Sequence, residues 1–460
     1  MMPDWSDLLG AIILGTASMI VLAVAELWIR LGTPRPEWTR KLVHVAGGMC
    51  CLLFPFLIES VWVVGLLALS MSSLFALGGK TGFLKSLHGV ARKSRGSEYY
   101  PIAIFLVFAL SDGERWLYLA SVLVLAVGDA FAALIGSQYG RIRYQVEESQ
   151  KSLEGSLVFM VIAFLAIHLP LLLMTDLSRP VCVLAALLVA ILATGFEAIC
   201  LGGTDNLFVP LAVLIILRKI VDKPLDEVVF QNISLVVLGV GMALLVRRAK
   251  ALNVGALIAV VLFTYGAWSL GGWQWALPIA LGTIAFVLCA RPRGPSSTEH
   301  LLRVRNVFHA LLLPFAVLAA GNGLGCLRAA FGPYLAASAV ALTLILEAEV
   351  SRDHTRGALA LGNRVLVGFV AALFLGTLPW LAQNQGWSQL LALGTVTSVI
   401  AALFPAVRAI LPSEPDSDWG ASRLLVTTMA AATLLAGQAV GWLPSWAPAN
   451  GLFAGFGGSG

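Results

Sequence analysis

The stretch KSLEGSLVFMVIAFLAIHLPLLLMT, residues 151–175, passes within a few positions from a cation and an acid into an apolar run that contains no Asp, Glu, Lys or Arg. From Gly155 to Thr175 the run is long enough to cross the roughly 30 Å hydrocarbon layer of a bilayer as a helix. In lipid no water pairs with exposed backbone groups, so such a run is satisfied only as a helix. This segment therefore decides the fold class, provided that the rest of the chain repeats it.

It does. Of 460 residues, 59% are hydrophobic and 12% charged, against about 25% charged in a soluble domain, which excludes a soluble fold. Breaking the hydropathy at charge clusters and at Gly and Pro predicts an all-α, polytopic integral membrane protein with about sixteen transmembrane helices. The first nine are expected at 8–29, 42–58, 60–78, 100–111, 115–137, 155–175, 180–200, 205–221 and 228–246. Seven more follow at 251–270, 272–290, 302–321, 329–347, 365–383, 388–407 and 423–443. The segment 100–111 is short and 205–221 is interrupted by polar residues, so either suits a broken or re-entrant element. The first run follows Asp4 and Asp7 and lacks a small-residue cleavage site, and reads as a true span rather than a signal peptide. The six cysteines show no C-x-x-C spacing, which points to neither zinc nor disulfides.

Alternating the loops places most of the 30 lysines and arginines on one side. The positive-inside rule makes that side cytoplasmic and puts both termini outside. The basic run Arg247-Arg248-Ala249-Lys250 marks a seam between two domains, 1–250 and 251–460. Polar residues at membrane depth concentrate before the seam, so function is expected in the first domain.

Ionisable groups in hydrocarbon cost at least about 2.5–3.5 kcal/mol at mid-span, so each one present needs a reason. Arg40, Lys41 and His44 share a helical face at the opening of the second span, which fits either an anchor or a phosphate-facing group. Arg92-Lys93-Ser94-Arg95 forms a basic loop suited to an anionic ligand. Asp129 lies inside the fifth span and must be paired with a cation or a metal. Gly128, Gly136 and Gly140 flank it, the last two one turn apart, which permits close approach of another backbone or of a ligand. Lys151 and Ser152 offer a cation and a hydroxyl at a helix start, where free N–H groups favour phosphate. Glu154, beside Gly155, is placed to cap that helix, bind Mg²⁺ or act as a base. Glu197 ends the seventh span, and Asp205 with Asn206 opens the eighth with oxygen ligands suited to Mg²⁺.

The ordered series R-K-x-x-H (40–44), R-G-x-E-Y-Y-P (95–101), G-D-A-x-A-A-x-x-G-x-x-x-G (128–140), K-S-x-E-G-S (151–156) and E with D-N-x-x-x-P (197, 205–210) resembles the CTP-dependent polyprenol kinases, such as dolichol, phytol and farnesol kinases. The resemblance spans about residues 38–246, and K-S-x-E-G-S after G-D-A is its most specific part. It implies transfer of the γ-phosphoryl group of CTP to a membrane-dissolved prenol, with Mg²⁺ as cofactor, the bilayer as setting and no nucleic acid. Under it, Lys151, Ser152 and the glycines at 128, 136, 140 and 155 serve the nucleotide; Asp129, Asp205 and Asn206 hold the metal. Glu154 or Glu197 is the base, and Lys41, His44 and Arg95 steady the migrating charge. The phosphatidate cytidylyltransferases share the G-D and K-[ST]-x-E-G core, but their downstream K-D and H-G-G-x-x-D-R-x-D elements do not follow Glu197. A transporter or flippase is the third reading, and predicts charges at mid-membrane in both halves. A bacterial plasma membrane is the expected location. The second domain offers only a faint echo, Arg305 to His309, and an acidic pair, Glu349 with Asp353.

Overall fold

The computed structural model describes residues 4–32, 36–84, 95–147, 149–249, 252–289, 303–350, 399 and 421–439. The basic residues 85–94, the spans expected at 365–383 and 388–407, and the Glu349 and Asp353 side chains lie outside this description.

The chain is an all-α polytopic membrane protein. Ten helices among the described residues are long and apolar enough to cross a bilayer, and each coincides with one of the expected spans. Four further expected spans are helices of which the apolar part is shorter, at Gly96–Ser111, Asp205–Ile220, Trp273–Cys289 and Ala421–Ala439. The two expected to be irregular are therefore helical but short, at 16 residues each, or roughly 24 Å.

Contact within the chain separates two compact units, Met1–Ser234 and Leu235–Gly460. The division falls inside one helix, Leu225–Ala249, upstream of the basic seam. In the first unit the order is α1 (Trp5–Gly32), α2 (Pro36–Cys51), the short α3 (Phe54–Leu57), α4 (Val61–Thr81) and α5 (Gly96–Ser111). There follow α6 (Arg115–Leu123), α7 (Asp129–Tyr139), α8 (Leu153–Met174), α9 (Arg179–Ile199) and α10 (Asp205–Ile220). The second unit is organised around Trp275, which packs edge-to-face on Phe331 with ring centroids 4.9 Å apart and accepts a hydrogen bond at its carbonyl from the Tyr334 hydroxyl.

Helix α8, which decided the fold, is apolar on all sides, as a helix within a membrane bundle must be. Leu157, Val161, Leu165, Leu169 and Leu173 form an exposed stripe at i, i+4 spacing, whereas Phe159, Ala163, Ile167 and Leu171 are buried. The buried stripe packs against α6, α7 and α9. Two local features depart from plain helix. The polar residues before α8 form an antiparallel hairpin, β1 (Arg143–Val146) with β2 (Ser149–Ser152), in which Tyr144 is opposite Lys151. Between α6 and α7 the fifth span passes through a π-helical turn, Val124–Gly128, immediately before Asp129. Turns of this kind carry one residue more than the α ladder accommodates and change which face the following residues present.

Candidate active site

Helix α2 approaches this π turn closely because residue 48 is glycine. A Cβ there would stand 2.5 Å from the Tyr100 hydroxyl and 3.4 Å from Ala126 Cα. The close approach brings Lys41 within 2.6 Å of Asp129 Oδ2, and its ammonium also donates to the Asp129 carbonyl at 3.2 Å. His44 Nε2 stands 3.0 Å from Leu125 O and 3.4 Å from Asp129 Oδ2. A carbonyl only accepts, so Nε2 carries the proton. The costly carboxylate of the fifth span thus has its cation, contributed by the R-K-x-x-H segment.

The second ion pair joins the hairpin to α9. Lys151 Nζ is 2.6 Å from Glu197 Oε1 and also donates to the Glu197 carbonyl. Burial disfavours the charged ammonium, but the Glu197 and Asp205 carboxylates outweigh it and hold the Lys151 pKa above the ordinary 10.5. Lys151 is therefore a cation throughout the neutral range, and its contribution to stability is lost only as pH rises through that raised value.

The loop from α9 to α10 turns through Gly202 and Gly203, both at positive φ (63° and 90°), a conformation that glycine adopts without steric cost. Gly202 O accepts from Arg95 N at 3.1 Å, which ties this loop to the start of α5. Immediately after it, Asp205 Oδ1 and Asn206 Oδ1 are buried with no hydrogen-bond partner. Buried acceptors left unpaired cost about 1–3 kcal/mol each, so two neighbouring ones, one of them a carboxylate, fit a divalent cation. Among the described residues no group of three or more His, Cys, Asp and Glu is close enough to cage a metal alone. Mg²⁺ usually takes one or two carboxylates and completes its shell with water and phosphate oxygens.

These groups share one cavity of about 1350 Å³, larger than the roughly 300–1000 Å³ of a usual single-ligand site. Its polar end is lined by Lys41, His44, Arg95, Asp129, Lys151, Glu197, Asp205 and Asn206; its other end is an apolar corridor formed by α1, α2 and α4. Such a space accommodates a charged ligand and a long apolar one together.

Of the residues singled out from the sequence, Gly136, Ser152 and Gly155 also line the cavity, whereas Gly128, Gly140 and Glu154 do not. The Glu154 carboxylate accepts from the backbone N–H groups of Arg141 (3.0 Å) and Ile142 (3.1 Å), so it closes the turn into the hairpin. Gly128 is packed by the Phe159 ring, 3.1 Å from where a Cβ would stand. The other glycines serve backbone approach between α7 and α8. A Cβ on Gly155 would lie 2.9 Å from Ala132 O and 3.1 Å from Gly136 Cα, and one on Gly140 would lie 2.6 Å from Ser152 Cβ. Ser152 caps α8, its hydroxyl accepting from Gly155 N at 3.1 Å. Ser152→Ala is expected to cost about 1 kcal/mol and Gly155→Val about 1–3 kcal/mol through overpacking, both read as lower unfolding temperatures in detergent.

Sequence reasoning missed three contributors. Tyr100 stacks edge-on against His44 with ring centroids 4.7 Å apart, and Arg143 and Gln150, hydrogen-bonded to each other at 3.1 Å across the hairpin, face the cavity. The Tyr-Tyr-Pro segment marked the first; no periodicity marked the others.

Comparison with known proteins gives two relatives. A phytol kinase from Synechocystis sp. is 35% identical over 193 residues, which are 42% of this chain and 82% of that protein. A probable chloroplastic phytol kinase 1 from Glycine max is 30% identical over 169 residues, 33% of this chain and 54% of that one. No protein-family model and no solved structure matches the chain.

Proposed function

The chain belongs to the phytol kinase family, and from that premise we propose that it transfers the γ-phosphoryl group of CTP to the hydroxyl of a long isoprenoid alcohol, phytol or a similar prenol. Kinase action on an alcohol acceptor follows from the family; the donor, the particular acceptor and the residue roles are our reading. The single observation that carries it is the joined cavity, charged at one end and apolar at the other. The same reading places the polar end on the cytoplasmic face of a sixteen-span protein with both termini outside, in a bacterial plasma membrane.

Phosphoryl transfer needs little covalent help from the protein, which acts by positioning and by neutralising charge. On nucleotide binding, Lys151 exchanges Glu197 for the phosphate oxygens. The exchange leaves the Glu197 carboxylate free to take the proton of the acceptor hydroxyl. The alcohol oxygen bonds to the γ-phosphorus, the bond from that phosphorus to the bridging oxygen breaks, and CDP leaves. Lys41, His44 and Arg95 face the charge that moves to the equatorial oxygens. Asp129, Asp205 and Asn206 would hold Mg²⁺, which when bound neutralises the β- and γ-phosphates. Chelation of divalent cations is therefore expected to lower turnover at least about a hundredfold, with recovery on adding Mg²⁺.

Purified protein in lipid, given labelled CTP, Mg²⁺ and a panel of prenols, tests the whole reading. Phosphorylated prenol with CDP is expected. Release of pyrophosphate with a CDP-lipid, or no turnover with any donor, would overturn it.

A further inference from the structure

Helix α2 presents to the cavity a face that changes character with depth: Lys41 and His44 at the charged end, then Gly47, then Cys51. Three to four residues separate successive members, so they form one stripe, about 15 Å long from Lys41 to Cys51. Gly47 and Gly48 are adjacent but serve opposite ends. Gly48 is buried against Ala126 and Tyr100, whereas a Cβ on Gly47 meets no atom of a described residue within 4 Å. A helix-interior glycine costs up to about 1 kcal/mol relative to alanine. Helix packing accounts for Gly48 and leaves Gly47 without a structural reason.

From this we infer that Gly47 is a specificity-determining position, its missing side chain leaving the passage through which the first, branched part of the acceptor's tail runs from the reactive end into the corridor of α1 and α4. The inference rests on the prenol kinase reading and deepens it. One turn beyond His44, Gly47 stands where the acceptor must change from a hydroxyl among charges to hydrocarbon among Leu14, Leu67 and Met71. A side chain at 47 would project into that passage without touching the ion pairs or the packing at Gly48.

The test compares kcat/KM across alcohols of increasing length and branching, with nucleotide KM measured in parallel. Gly47→Leu and Gly47→Phe are expected to lower kcat/KM for long branched prenols about ten- to a hundredfold, with short unbranched alcohols affected much less and nucleotide KM unchanged. Leu67→Ala, which widens the corridor from α4, is expected to shift preference toward bulkier alcohols, and it decides the matter if the larger residues at 47 prevent folding. A chain-length profile unchanged in Gly47→Phe, a uniform loss across all alcohols, or an unshifted profile in Leu67→Ala would overturn the inference. If the unsubstituted protein phosphorylates no alcohol, it is the functional reading that fails instead.

Discussion

Asp129→Asn is expected to reduce phosphoryl transfer at least about a thousandfold, the upper range for losing one preorganised charged group at a phosphoryl or acyl centre. The substitution also disturbs the resting protein. Lys41 is 4% exposed and Asp129 16% at the side chain, and removing one partner of such a pair leaves the other charge buried, at about 3–5 kcal/mol. Loss of activity alone would therefore not separate catalysis from folding. The double variant Lys41→Met/Asp129→Asn removes both charges and is expected to recover most of the unfolding temperature while remaining inactive. Appreciable turnover in either variant would remove Asp129 from the site.

Lys151→Met is the second large effect, expected to lower kcat/KM for the nucleotide about a hundred- to a thousandfold. Two carboxylates hold this ammonium charged and deliver it to the cavity wall. Its loss should raise nucleotide KM as well as lower kcat, since the phosphates lose a ground-state contact too. Glu197→Gln should behave differently. It frees Lys151 in the resting state and removes the proton acceptor, so kcat should fall while nucleotide KM stays level or improves. Lys151→Arg is not a conservative replacement, because a planar guanidinium cannot follow a point charge between a carboxylate and a phosphate. If both variants change KM and kcat alike, the two residues do not have separate roles.

The spans were legible because a bilayer imposes one length and one composition, and all ten long helices lie where hydropathy put them. The polar cluster was legible for a related reason: a carboxylate such as Asp129, set inside an apolar helix, is too costly in hydrocarbon to stand there without a partner. The pairing within it was not legible. Asp129 finds Lys41 across 88 residues and Lys151 finds Glu197 across 46, and no local pattern encodes either partner. The hairpin escaped because RYQV alternates over only four residues and its partner SQKS is polar throughout, too little for a strand to be recognised. Glu154 stands apart from these residues. Its position in the most specific motif made it a candidate base, yet its carboxylate is spent on two backbone N–H groups.

The two ion pairs also bear on how the protein is made. In each, the cation precedes the acid in the chain: Lys41 before Asp129, Lys151 before Glu197. A lysine at a membrane edge can wait for its partner, its long stem lying in hydrocarbon while its ammonium reaches the interfacial water. A carboxylate set well inside an apolar helix, as Asp129 is, has no such reach. Synthesis from the N-terminus thus delivers the tolerant partner first, and Asp129 is inserted into a bilayer where Lys41 already resides.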